Sequence, residues 1–288
     1  MIQEICVKAF AKVNFGLNVL PKRNDGFHCI ESIFQTVDLY DSLHLSFIEE
    51  KTCVVECASM KLPEKNTITN AYDAFCELTG NTRGVKVILE KGIPSGGGLG
   101  GGSSDAAAFI RGMEKLCNVE LSLEQYDSIA EKTGSDVFFF MHCDKNGSGC
   151  ALVSGRGEVV QNIKGRSDLW LLMIFPGVHS STKEAYDLVD EAFNKGKKNI
   201  SPDFSDYEFI YNKSIQEWTF INTFTPVIAD KYTKIRDAIG ALKKTGCRYA
   251  EMSGSGSTVF GVFTSKEQAD LAYNSLAETW CCKLVSTI

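Results

Sequence analysis

Pro94-Ser95-Gly96-Gly97-Gly98-Leu99-Gly100-Gly101-Gly102-Ser103-Ser104-Asp105-Ala106-Ala107-Ala108 is the stretch that decides how this chain is read. Six glycines surround one leucine, two serines follow, and an alanine run begins. Glycine has no β-carbon, so its amide can approach a ligand closely and its φ can be positive. Serines ahead of alanines read as the cap and first turn of a helix. A loop of bare amides feeding a helix N-terminus is an anion site, and phosphate is the usual anion.

The flanks support this. Beyond the serines, Ala106, Phe109, Ile110, Met113, Leu116 and Cys117 fall at the three-four spacing of one buried helix face. Upstream, Val85, Val87 and Leu89 alternate with Lys86, Ile88 and Glu90, which predicts a strand ending near Lys91. The unit is strand, glycine loop, helix. A flexible linker seldom ends in an amphipathic helix. The Walker pattern needs a lysine before the hydroxyl residue, and none is present. Gly96, Gly98 and Gly101 satisfy G-x-G-x-x-G, but that pattern requires a second buried strand ending in an acid. Asn118 to Glu120 is too short to be that strand.

The 288 residues suit one large domain or two ordinary ones, and 44% of them are apolar. No apolar run reaches the length of a membrane span, and MIQEICVKAF lacks the regions of a signal peptide. The expectation is a cytoplasmic chain with no membrane partner. A net charge of −6 argues against a broad nucleic-acid surface. Eleven scattered cysteines read as reduced thiols, and the four histidines offer no zinc spacing.

Along the chain, Ile5, Val7, Ala9, Ala11, Val13, Phe15, Leu17 and Val19 occupy every odd position of a long strand. Lys8, Lys12, Asn14 and Asn18 share its opposite, partly polar face. Asn24-Asp25-Gly26 supplies a turn, and strands are expected at about 29–38, 43–48 and 52–58. A helix over 66–79 precedes the 85–90 strand. Ser122-x-x-Gln125 is a capping box opening a helix that stops at Gly134. A strand pair surrounds the glycine-rich Gly147–Gly157 segment, and the domain boundary falls just after it, giving domains 1–160 and 161–288. The second carries strand 168–175, helix 181–193, a poorly patterned stretch, helix 227–244, strands 248–252 and 258–263, helix 265–279 and strand 281–286. That order suggests an α+β sandwich of ferredoxin-like type.

Three further segments carry candidate chemistry. Lys12 is either a solvated lysine or a functional ammonium. Asp136, in Gly134-Ser135-Asp136-Val137-Phe138-Phe139-Phe140, follows a helix stop and is either a cap or a partly buried acid. Met252-Ser253-Gly254-Ser255-Gly256-Ser257-Thr258 is longer than a tight hairpin needs, and either wraps a ligand or merely connects two strands.

Taken in order, A-K-V-N, P-x-G-G-G-L-G-G-G-S-S-D-A-A, G-S-D-V-F-F-F and S-G-S-G-S resemble the GHMP small-molecule kinases over nearly the whole chain. The doubled glycine loop, N-D-G-F-H at 24–28 and the Pro176-Gly177-Val178 turn before Thr182 resemble members whose acceptor is a cytidine diphosphate sugar alcohol. The resemblance implies an N-terminal domain like the second domain of ribosomal protein S5, followed by a ferredoxin-like domain. It implies ATP with Mg²⁺, and an alcohol acceptor, with mevalonate or homoserine as alternatives. Lys12 and Asp136 are the catalytic pair it implies. ATP falls to Asn66, Lys91, Pro94, Gly96, Gly97, Gly98, Leu99, Gly100, Gly101, Gly102, Ser103 and Ser104. The acceptor falls to Asn14, Phe27, His28, Thr182 and Tyr186, with Phe27 and Tyr186 stacking on a cytosine. A tyrosine is common where Phe27 stands, and phenylalanine is expected at Tyr186. A monomer or weak homodimer is expected.

Overall fold

A computed structural model describes residues 3–197 and 201–288. Met1 and Ile2 of the strand-like N-terminus, and 198–200 of the poorly patterned stretch, lie outside the described residues. Two compact units emerge. One comprises Met1–Ala11, Leu39–Ser95 and Gly100–Gly149; the other comprises Lys12–Asp38, Gly96–Leu99 and Cys150–Ile288.

The long first strand is β1 (Glu4–Val19), and it pairs with β2 (Ile30–Ile48). Asn24 and Asp25 turn within a connection closed by Leu20 N–H to the Cys29 carbonyl (2.8 Å). The two strands expected over 29–38 and 43–48 are one continuous strand. Asp41, in the gap between the two expected strands, is fully buried and accepts the amides of Gly92 and Ile93, so it braces the strand there. In the first unit β3 (Cys53–Glu56) runs parallel to β4 (Gly84–Glu90), and β4 runs antiparallel to the second half of β2. Between them α1 (Thr67–Thr79) opens on a full Asn66 capping box.

Helix α2 (Gly101–Cys117) buries the expected Ala106, Phe109, Ile110, Met113 and Leu116. It lies close to β2: a β-carbon on Gly112 would sit 2.7 Å from Leu45 Cδ2. Its start differs from expectation. The N-cap is Gly100 at φ +71°, and both serines lie inside the first turn. The glycine run supplies the left-handed entry itself and leaves the hydroxyls for other partners. α3 (Leu123–Thr133) has the predicted Ser122–Gln125 box and stops at Gly134. The apolar run after it is a short helix, α4 (Ser135–Met141).

In the second unit β5 (Cys150–Ser154) pairs with the first half of β2 and with β6 (Val159–Asn162). Then come β7 (Trp170–Ile174), α5 (Thr182–Asn194), α6 (Tyr207–Tyr211), α7 (Phe224–Lys231), α8 (Thr233–Lys244), β8 (Tyr249–Met252), β9 (Val259–Phe263), α9 (Lys266–Leu276) and β10 (Cys282–Ser286). The order β10-β7-β9-β8, antiparallel throughout, is the 4-1-3-2 order of a ferredoxin-like sheet. The single helix expected over 227–244 is two, broken at Tyr232 (φ −114°, ψ 90°), whose hydroxyl bonds Glu184.

The poorly patterned stretch supplies aromatic core. Tyr207, Tyr211, Trp218 and Phe220 are buried there. Phe15 of β1 packs on Tyr211, Trp218 and Phe260 at centroid distances of 5.6, 5.1 and 5.8 Å. The Tyr211 hydroxyl donates to Gln35 Oε1 (2.7 Å) and accepts from Arg166 N–H (3.0 Å). Short irregular segments defeat a periodicity reading, because their burial follows individual rings and not a face.

Candidate nucleotide and acceptor site

The glycine loop is held by its carbonyls. Gly97 O accepts Thr258 N–H (3.2 Å), Gly98 O accepts the Ser253 hydroxyl (2.9 Å), and Leu99 O accepts Lys12 N–H (3.0 Å). In a trans peptide the N–H of the next residue points opposite to the carbonyl. The amides of Gly98, Leu99 and Gly100 are therefore turned away from those partners. Gly96, Gly98 and Gly100 are left-handed (φ +69°, +75° and +71°), an alternation that gathers backbone amides into anion nests. The first three amides of α2, those of Gly101, Gly102 and Ser103, have no acceptor within the helix. Leu99 anchors the loop, buried at 1% exposure.

The 252–258 segment packs against this loop: a β-carbon on Gly98 would lie 2.0 Å from Ser253 O. Ser253, Ser255, Ser257 and Thr258 are buried, and Asn222 Nδ2 braces the segment through the Met252 and Gly254 carbonyls (2.8 Å each). Ser255 Oγ also meets Thr182 Oγ1 at 2.9 Å.

Lys12 is not a solvated lysine. It is 3% exposed, its Nζ donates to Asn14 Oδ1 (2.8 Å) and it lies 4.4 Å from the Phe34 ring centroid. The face of β1 expected to be partly polar is buried at this point. Asn14 absorbs that burial: its Oδ1 also accepts Gly254 N–H (2.9 Å), and its Nδ2 donates to Ser32 Oγ (3.1 Å). Lys12, Asn14, Gly96–Leu99 and the serine segment thus come together within the second unit.

The acceptor candidates in that unit form a ring cluster. His28 stacks on Tyr186 (4.9 Å, 21°), and Tyr186 meets Phe224 edge-on (5.0 Å). His28 Nδ1 lies 2.8 Å from the Leu20 carbonyl and Nε2 lies 3.2 Å from Asp190 Oδ1. Phe27 is 55% exposed, with the Arg156 guanidinium 5.1 Å from its centroid.

In the first unit Asp136 is half-buried in the first turn of α4, where the positive end of the helix favours a carboxylate. Val137, Phe139, Phe140 and Met141 are the buried residues of that helix. Arg111 of α2 closes its far end by donating to the Phe140 carbonyl. Ser104 is buried and donates to the Phe10 carbonyl (2.6 Å), while Ser103 stays half-buried. Asn66 caps α1, accepting from Ile68 and Thr69 amides and donating to Pro63 O (3.0 Å). Pro94 is half-buried at the loop's start. Lys12 and Asp136 belong to different units.

Sequence reasoning missed Asp41 and Asp105. Lys91 Nζ pairs with both, at 3.0 Å to Asp105 Oδ2. The signal was present: Asp105 stands four residues before Phe109, on the apolar face of α2, where an acid needs a buried cation. Burial drives the Asp105 carboxyl well above the usual carboxylate range; Lys91 opposes the rise and the Asp41 charge adds to it. Burial acts to lower Lys91, but the two carboxylates outweigh it and raise its value. A cavity of about 650 Å³ at the other end of α2, lined by Arg111, Tyr126 and Lys145 among others, holds none of the predicted site residues.

The chain matches the family model for the GHMP kinases N terminal domain over residues 66–144 and that for GHMP kinases C terminal over 212–280. It is 36% identical to the 4-diphosphocytidyl-2-C-methyl-D-erythritol kinase of Treponema pallidum (strain Nichols), with 97% of each chain covered. It is 39% identical to the enzyme of that name from Caldanaerobacter subterraneus subsp. tengcongensis, covering 94% of this chain and 92% of the relative. A crystal structure of 4-(cytidine 5'-diphospho)-2C-methyl-D-erythritol kinase superposes with a TM-score of 0.76 at 26% identity, covering 98% of this chain and 99% of the other.

Gly98→Ala forces a side chain into a left-handed residue facing the Ser253 carbonyl, and should destabilise the chain by about 2–4 kcal/mol in urea unfolding. An unchanged midpoint would disprove the contact. A second expectation concerns pH. A carboxyl raised in the folded state keeps a proton the unfolded chain has released. Its contribution is complete below the unfolded value of about 4 and is lost as pH rises through the folded one. The Tm of the unsubstituted chain minus that of Asp105→Asn should therefore fall between about pH 4 and about pH 8, the value to which burial raises Asp105. A difference that rises with pH contradicts a protonated Asp105.

Proposed function

This chain belongs to the GHMP kinase family, and we propose that it transfers the γ-phosphoryl group of ATP to the 2-hydroxyl of 4-diphosphocytidyl-2-C-methyl-D-erythritol. The observation that carries this reading is the glycine loop whose carbonyls are engaged by Lys12 N–H, Ser253 and Thr258, leaving its amides turned the other way. The full-length relatives support the choice of acceptor.

The ATP phosphates lie along the amides of Gly96 to Ser103, with Pro94 and Ser104 framing the loop and Asn66 beside the adenine. A helix terminus contributes only ~0.3–1 kcal/mol, up to ~2 when partly buried, so further positive charge is required. Mg²⁺ would supply it, neutralising charge on the phosphates, with Ser103 the hydroxyl nearest to hand. No group of three His, Cys, Asp or Glu side chains suited to a metal occurs among the described residues.

Asp136 accepts the proton of the acceptor hydroxyl as that oxygen attacks the γ-phosphorus. The bond from phosphorus to the bridging oxygen breaks, and ADP leaves. A carboxylate is a weak base toward an alcohol, so Lys12 assists by lowering the hydroxyl's pKa. Lys12 is held for that part by Asn14 and Phe34. On the acceptor side Phe27 and Tyr186 stack on the cytosine, for ~1–3 kcal/mol per base. His28 fixes the plane of Tyr186, and Asn14 and Thr182 line the polar part. Catalytic domains bounded near residue 160 complete the proposal.

A coupled ADP-release assay tests the acceptor. Turnover is expected with 4-diphosphocytidyl-2-C-methyl-D-erythritol; turnover confined to mevalonate or homoserine would overturn it. Asp136→Asn should lower turnover by at least ~10²-fold while ATP binding persists, the size of a general-base contribution. Near-normal turnover removes that role from Asp136.

A further inference from the structure

Both stems of the glycine loop converge on one buried ammonium. Asp41, in the middle of β2, accepts Gly92 N–H (2.7 Å) and Ile93 N–H (2.8 Å) through Oδ1, just before Pro94 opens the loop. Its Oδ2 takes Lys91 Nζ. The same ammonium donates to Asp105 Oδ2 (3.0 Å), and Asp105 directly follows Ser104, where the loop has become helix. The side chains of Lys91, Asp41 and Asp105 are 11%, 0% and 4% exposed. A β-carbon on Gly101 would stand 3.4 Å from Lys91 Nζ, so the ammonium lies directly beneath the first turn of α2.

Stability alone does not account for this arrangement. A buried ion pair such as Lys91 with Asp41 is often no more stable than apolar residues of the same volume. Here one atom, Asp105 Oδ1, is buried without a hydrogen-bond partner. What the triad does provide is geometry. A segment with six glycines samples many conformations, and each that misplaces an amide raises the entropy cost of gripping an anion. Fixing both stems to one charge removes much of that freedom before a ligand arrives.

We propose that Asp41, Lys91 and Asp105 form a clamp that preorganises the phosphate loop, with Asp105 a positioning residue acting through Lys91 and the backbone. The proposal rests on the reading that this loop holds the phosphates of ATP. The clamp's elements are β2, the exit of β4 and the first turns of α2, so its loss is felt by the nucleotide and not by the acceptor.

Calorimetric titration with a non-hydrolysable ATP analogue and, separately, with cytidine diphosphate as the acceptor-side probe tests this. Asp105→Ala should weaken the analogue by at least about tenfold while the cytidine diphosphate affinity stays within about twofold. Asp105→Asn keeps an oxygen for Lys91 and should restore analogue binding to within about threefold. Asp41→Asn is a second route should Asp105→Ala not fold. It keeps Oδ1 for the Gly92 and Ile93 amides but turns a donor toward Lys91, and the same selective loss is expected. Equal losses for both probes, or no loss for the analogue, overturn the clamp. Failure of the unsubstituted chain to bind the analogue instead overturns the phosphate-loop reading on which the clamp stands.

Discussion

A peptide plane cannot turn its carbonyl one way without turning the next amide the other, and the site of this kinase is built on that constraint. Three successive carbonyls, from Gly97 to Leu99, are occupied by donors from β1 and from the serine segment after β8. Every other feature of the loop serves that condition. The left-handed glycines let three planes in succession find separate partners, Leu99 is buried between them, and the backbone carbonyls of Ser253 and Gly256 fill the space a side chain on Gly98 would need. The loop is shaped by what it gives to the protein, and its anion-binding face is the remainder.

Charge is handled in the same indirect way. Lys12 is buried, and a carboxamide and a ring receive it. Neither of those two groups carries a net charge, so what they fix is the position of the ammonium. Its field then acts on a reacting oxygen in a medium that water screens poorly. Asn14 makes that possible, since its oxygen serves Lys12 and the Gly254 amide together.

Much of this was legible from residue order. The long first strand, the helical face from Ala106 to Leu116 and the Ser122–Gln125 box are present, because each rests on a local periodicity or a cap; the in-and-out alternation of the strand is lost from Ala11 to Leu17, where both faces are buried. What failed to be legible depended on contacts far apart in sequence. The gap left between 38 and 43 closes once Lys91 and the Gly92 amide are beside Asp41. Ser103 and Ser104 resemble caps until Gly100 is seen to take the left-handed turn. The stretch after α5 is poorly patterned until Tyr211 and Trp218 are seen to pack on Phe15. In the site, the loop and the residues flanking Lys12 were readable as motifs. Asp105 was legible only as an acid on an apolar helix face; its partner, a lysine fourteen positions earlier in the chain, was not.

The aromatic core around Phe15 has a further consequence. All three tryptophans, Trp170, Trp218 and Trp280, fall in the second unit, and Trp218 is the one enclosed by Phe15, Tyr211, Phe220 and Tyr249. Indole emission from this chain is thus a lamp lit in one room only: it arises within the second unit and reports on the packing there.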